Sequence, residues 1–134
     1  MRKMILLSAV AALILLQTSC DTSQSLSIFN TWSSSGITTG AMYVTNVVLT
    51  FNSNGTWSET IQTSGTVTIS GTFSPTTLPP DTNITFTVVA SSDPIHVPIG
   101  MTVLIKYTNL TATTVDIYSD SGSGFEGPFQ FHKM

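Results

Sequence analysis

The chain has 134 residues, of which only four are basic and seven acidic, and it contains a single cysteine. One cysteine excludes an intrachain disulfide, and so few basic residues exclude a cationic surface for nucleic acid or a polybasic grip on anionic lipid. The length suits one domain that buries roughly two-thirds of its unfolded surface.

At the N-terminus, Arg2 and Lys3 precede an apolar run from Met4 to Leu16, followed by Gln17-Thr18-Ser19-Cys20. A basic n-region, a short apolar h-region and a small residue at the cut predict a secretory signal peptide. The run is shorter than the roughly 20 apolar residues a membrane-spanning helix needs. With Cys20 placed directly after a small residue, the segment resembles a bacterial lipoprotein signal. That resemblance implies cleavage between Ser19 and Cys20 and acylation of Cys20 with palmitate-type chains. Gln17 stands three before the cysteine, where an aliphatic residue is usual, so the lipobox is a loose one. Each buried CH₂ contributes about 0.8 kcal/mol, so several chains on one cysteine anchor stably. The alternative is an ordinary exported protein cut near Ser19, with an incidental thiol at Cys20. The expected location is the cell envelope. Asp21 leaves open whether the inner or the outer membrane, and the periplasmic or the surface face, is the destination.

Residues 1–19 thus read as a signal peptide, 20–27 as the lipidated cysteine with a polar tether, and 28–134 as the folded domain. A tether of this length reaches roughly 15 Å as a random coil. From Cys20 onward, Lys106 and Lys133 face all seven acids, a net charge of −5, and Ser and Thr supply 38 residues. Threonine favours strands, whereas Ser, Gly and Asn favour turns. The composition therefore predicts an all-β domain.

The strands follow in order. Ile28–Trp32 opens the domain, and Ser33–Gly40 reads as a Ser- and Gly-rich connection. Met42–Phe51 alternates at Val47, Leu49 and Phe51. Asn54-Gly55 marks a hairpin, because both residues tolerate positive φ. Thr56–Gln62 places Trp57, Glu59 and Ile61 on one face. After the turn at Thr63-Ser64-Gly65, Thr66–Ser74 puts Val67, Ile69, Gly71 and Phe73 inward. A Pro-rich loop, Pro75–Asp81, leads to Asn83–Ala90, with Ile84, Phe86, Val88 and Ala90 on one face. The loop Ser91–Gly100 precedes Met101–Asn109, where Val103, Ile105 and Tyr107 share a face. Thr113–Ser119 gives Val115, Ile117 and Ser119. The loop Asp120–Gly127 leads into Pro128–Lys133, with Phe129 and Phe131 paired. Eight short strands joined mostly by tight turns fit an antiparallel up-and-down barrel, with a β-sandwich as the alternative. Closure would remove both exposed edges.

Four features carry a further resemblance: Trp32 on the first strand, the block Leu49-Thr50-Phe51-Asn52-Ser53-Asn54-Gly55-Thr56-Trp57, Gly71-Thr72-Phe73 ending the fourth strand, and a short closing strand at Phe129–Phe131. Together they resemble the small lipocalin-like domains of bacterial lipoproteins. The resemblance covers roughly residues 28–134. It implies an eight-stranded barrel whose first-strand Trp plugs the floor, with Lys133 as the basic residue that would cover it. Asn30 stands two before Trp32, where Gly is usual. It also implies an apolar cavity at the open end.

In that case Trp57, Glu59, Phe73, Phe86 and Tyr107, with Phe51, are the candidate ligand-binding residues. The same aromatics equally make an ordinary barrel core. Glu59 stands out, because a carboxylate facing a barrel interior is costly unless it is hydrogen-bonded or used on a ligand. His96 and His132 lack partners at metal-ligand spacing. Asp116, Asp120 and Glu126 do not match the calcium loop, and no Gly-x-Ser-x-Gly elbow is present. No catalytic residue, metal or cofactor is expected. Two functions remain open: a lipid-anchored module taking a small apolar ligand, and a structural or protein-interaction module of the envelope with a filled core.

Overall fold

Threonine outside and aliphatic or aromatic residues inside build most strands of the structure, a computed structural model that describes residues 26–39, 42–120 and 122–134. The signal peptide, Cys20 and most of the tether lie outside the described residues. The strands are β1 (Thr31–Thr39), β2 (Met42–Phe51), β3 (Thr56–Gln62), β4 (Thr66–Ser74), β5 (Ile84–Ser91), β6 (Thr102–Thr108), β7 (Thr114–Asp120) and β8 (Glu126–Lys133). Each pairs antiparallel with the next, and β8 returns to β1, so the sheet is a closed up-and-down barrel compatible with a lipocalin-like fold. Closure replaces the sandwich alternative. The closing seam is short. Trp32 stands opposite Lys133 and Ser33 opposite His132. The backbone N–H of Met134 donates to the Thr31 carbonyl at 3.0 Å, and the Ser34 hydroxyl donates to the Gln130 carbonyl at 2.7 Å.

Two strands extend into stretches expected as loops. β1 runs through Ser33-Ser34-Ser35-Gly36, because closure demands a long first strand that pairs with β2 from Thr31 to Thr39, interrupted only at Gly36. Ser34 is buried, and its hydrogen bond to β8 satisfies the polar group that propensity would have left in a turn. Gly36, at φ +67°, breaks the alternation. Trp32 and Ser34 face inward, and then Ile37 does. On β2 the facing residues Leu49, Val47 and Val44 shift in step, so the register is kept while the strand pair bends. β8 begins at Glu126 within the Gly-rich stretch.

A second irregularity lies between β4 and β5. Gly71 stands opposite Val88 but Ser70 opposite Ala90, so Val89 is an extra, bulged residue. Ala90, expected on the inner face with Val88, is therefore turned outward and exposed. A Cβ on Gly71 would lie 1.8 Å from the Thr87 carbonyl oxygen and 3.0 Å from Trp57 Nε1. Only glycine permits that backbone approach.

The interior is tiered. At the end where the chain enters, Trp32 is 1% exposed, and its indole N–H donates to the Ile28 carbonyl at 2.9 Å. Above this floor, the Phe86 ring has three aromatic neighbours. Their centroids lie at 5.1 Å (Trp57), 5.6 Å (Phe73) and 5.7 Å (Phe51). Such ring pairs contribute roughly 0.5–1.5 kcal/mol each beyond their buried area. The Trp57 indole donates to the Thr72 carbonyl, and the Tyr107 hydroxyl donates to the Leu78 carbonyl. This half of the barrel is filled and its buried donors are paired.

Because the bulge and the aromatic tier meet at Gly71, Gly71→Ala should cost about 2–3 kcal/mol, the cost of overpacking against immobile backbone. Urea unfolding should show a lower midpoint at an unchanged m-value. An unchanged midpoint would mean that the close approach to Thr87 is not a constraint.

Candidate functional site

β3 places three side chains inside the barrel in sequence: Trp57 in the aromatic tier, then Glu59, then Ile61. The register fixes the middle one. Glu59 stands between Leu49 of β2 and Ile69 of β4, and both neighbours are buried. Strand alternation with apolar residues on either side thus drives a carboxyl group inward.

Above the aromatic tier the inner side chains become shorter. Val44 and Val47 of β2, Ile61 of β3, Ile105 of β6 and Ile117 of β7 replace the large rings. What they leave is a cavity of about 190 Å³ inside the barrel wall. Ile37, Leu49, Phe129 and Phe131 complete the apolar lining, and Glu59 and Ser119 are its polar members. The volume is somewhat above the roughly 150 Å³ of an apolar protein cavity that takes up benzene. It is below the roughly 300 Å³ of a drug-sized site. A hollow of about 390 Å³ bordered by β3, β4 and β5 is lined mainly by Ser and Thr, and another of that volume bordered by β1 and β8 mixes Ser34, Ser35 and Thr38 with Ile37 and Phe129.

Burial pushes the Glu59 carboxyl up from 4.5 to about 7, because the apolar surroundings disfavour its charged form. No ion pair or hydrogen bond to its side chain is formed among the described residues; the two ion pairs there are Asp93–His96 and Asp81–Lys106. The described lysines stand elsewhere. Lys106 lies outside the barrel, its ammonium over the rings of Tyr118 and Phe125 at 5.2 and 4.8 Å. Lys133 is exposed beside Trp32 at the floor.

Of the five residues singled out as ligand-binding, the structure brings only Glu59 to the cavity. Trp57, Phe73 and Phe86 pack on one another below it, and Tyr107 is tied to Leu78, where burial raises its phenol above the ordinary value. The aromatics fill the barrel, and the aliphatics that follow them on the same faces leave the space. Val47, Ile105 and Ile117 were readable as inward positions, whereas Val44 is out of phase with Val47 and turns inward only through the irregularity at Gly36. The step down in side-chain size along the barrel axis becomes visible only when the strands are aligned.

Several of the remaining titratable groups stabilise turns and strand ends. The exposed His96 ring nitrogen lies 2.8 Å from the Asp93 carboxylate. That hydrogen bond holds Asp93 below the usual carboxylate range. Asp120 accepts from the backbone N–H groups of Gly122 and Gly124, and Asp116 accepts from Asn109. His132 is exposed on β8. Among the described residues, no three His, Cys, Asp or Glu side chains gather as a metal-holding group.

The Glu59 shift has a defined sign. Between pH 4.5 and about 7 the folded protein keeps a proton that the unfolded chain has released, so stability falls as pH rises through that window and then levels off. At about 1.4 kcal/mol per unit, the loss approaches about 3 kcal/mol. Glu59→Gln, which cannot ionise, should flatten this fall when unfolding free energies are measured at intervals across the same range. An unchanged slope in the variant would assign the titration to another group. No family model, curated protein or solved structure matches this chain.

Proposed function

We propose that this chain is a binding module of the bacterial cell envelope, taking one small apolar molecule into its barrel and held at a membrane by lipid on Cys20. The observation that carries the binding role is the cavity: an apolar chamber in an otherwise filled barrel, with an ionisable carboxyl that has no described partner. Buried polar groups are ordinarily paired within the protein. Among the described residues no buried side-chain N or O atom lacks a partner, so the half-buried Glu59 carboxyl opens onto the cavity, where a ligand can reach it. The role is binding and not catalysis, since the chamber offers one carboxyl and one hydroxyl and no described nucleophile–base pair. A filled-core structural module suits the aromatic half of the barrel. It leaves the aliphatic half, and the position of Glu59, without a reason.

The anchoring half of the proposal rests on Arg2, Lys3, the Met4–Leu16 run and the Ser19–Cys20 junction. The chain enters the barrel at the Trp32 floor. A lipid on Cys20 would therefore hold the floor nearest the bilayer and turn the cavity end away from it. That arrangement suits a ligand met in the aqueous phase.

Two measurements check the proposal. In the mature protein held in lipid nanodiscs, a saturating toluene-sized apolar probe should raise Tm by about 10 °C at a hundredfold excess over Kd. Val47→Phe, which projects a ring into the cavity, should abolish that rise. Equal Tm rises in both proteins would locate the probe elsewhere, and the absence of any rise would favour the filled-core module. Mass analysis of the mature N-terminus should show a peptide that starts at Cys20 and carries acyl chains. An unmodified Cys20 would reduce the protein to an exported one.

A further inference from the structure

We infer that the cavity selects a compact hydrocarbon carrying a single ammonium group, which places its N–H donors on the Glu59 carboxylate. This deepens the proposed binding function and rests on it. The volume sets the size of the ligand. About 190 Å³ accepts one small ring or a short branched chain and no long acyl tail. The lining sets the body, since all of it is hydrocarbon except Glu59 and Ser119.

The head group follows from acceptor chemistry. An ionised carboxylate offers about four lone-pair sites and donates nothing. None of these is taken by a described protein donor, so they are free for donors that a ligand brings. An ammonium brings three, together with the opposite charge, and forms the short charge-assisted hydrogen bonds that are the strong class. The Ser119 oxygen adds a second acceptor to the lining. An alcohol brings one donor and no charge. A ligand carboxylate would set a like charge against Glu59 in a medium of low dielectric, where repulsion is poorly screened.

No second ionisable group of the described lining competes for Glu59. β1 presents Ile37, β2 Val44, Val47 and Leu49, β3 Ile61, β6 Ile105, β7 Ile117 and Ser119, and β8 Phe129 and Phe131, and the β4 neighbour of Glu59 is Ile69. The Tyr107 phenol is engaged with Leu78 in the lower tier. Glu126, opposite Ser119 in register, is exposed at the rim. The ionisation of Glu59 is therefore governed by desolvation and by whatever enters the cavity.

The test uses three probes on one skeleton, namely benzylamine, benzyl alcohol and benzoate, titrated calorimetrically into the mature protein in lipid nanodiscs. Because an ammonium needs the ionised carboxylate, benzylamine affinity should rise with pH through the Glu59 range. From about pH 5.5 to about pH 8.5 the ionised fraction climbs from a few per cent to nearly all, an expected gain of about 30-fold in affinity. Benzyl alcohol should change little over the same interval, and benzoate should bind weakest. Glu59→Gln should erase both the pH dependence and the preference for the amine while retaining benzyl alcohol, which shows the cavity intact. If that variant does not fold, the wild-type pH profiles of the three probes decide the matter alone. Benzyl alcohol binding as tightly as benzylamine at about pH 8.5 would overturn the amine preference and leave the binding function standing. Failure of the wild-type protein to bind any of the three would overturn both.

Discussion

An eight-stranded barrel encloses a bore of nearly fixed width, just sufficient to be filled by side chains or to hold one small ligand. Every other feature of this protein depends on how that bore is used. At the floor end it is spent on rings: Phe86 meets Phe51, Trp57 and Phe73 within 6 Å, above a Trp32 that is sealed from solvent. Toward the other end most inner positions are valine and isoleucine, with Phe129 and Phe131 on β8 alone supplying rings, and the same bore is left with about 190 Å³ of free space. The backbone is continuous through both halves, so the change comes from side-chain volume and not from a different sheet geometry.

Closing so small a sheet requires local departures from regular pleating. Gly36 lets β1 and β2 change the face they present without losing register. Gly71 lets β4 approach β5 at the Val89 bulge. Gly127 does the same for β8, since a Cβ there would lie 2.8 Å from the Ile117 carbonyl oxygen. These glycines matter for curvature as much as for turns. The seam they make possible is secured by few contacts, among them the hydrogen bond between Ser34 and Gln130. A serine buried in a barrel wall is thus part of the closure and not a gap in the core.

Strand count, order and most strand limits were legible in the sequence because Thr alternates with apolar residues and Gly, Asn and Pro punctuate the turns. The inward position of Glu59 was legible for the same reason, through Trp57 and Ile61 at two-residue spacing. The triple serine of β1 was not, since its strand character comes from pairing with β2 and β8, which no local preference reports. Ala90 was misplaced because a single bulged residue reverses every face after it. The site was half legible. Aromatic residues drew attention as a cavity lining, whereas a cavity arises where large side chains stop. That boundary depends on which residues of eight strands stand at the same height.

Glu59 links the two halves of the barrel. It sits one inward step above Trp57 and one below Ile61, at the height where filled core gives way to open space. For stability alone this is a poor place for a carboxyl: its ionised form is disfavoured there, and a leucine at the same position would face only hydrocarbon neighbours in Leu49 and Ile69. An apolar ligand alone does not remove this cost, because it would fill the space without supplying a donor. A ligand with a donor head does, and in doing so it favours the ionised form that the empty cavity resists. Filling the chamber and satisfying the carboxyl then become a single event. The amine preference and the presence of a carboxyl at this height therefore have one physical cause.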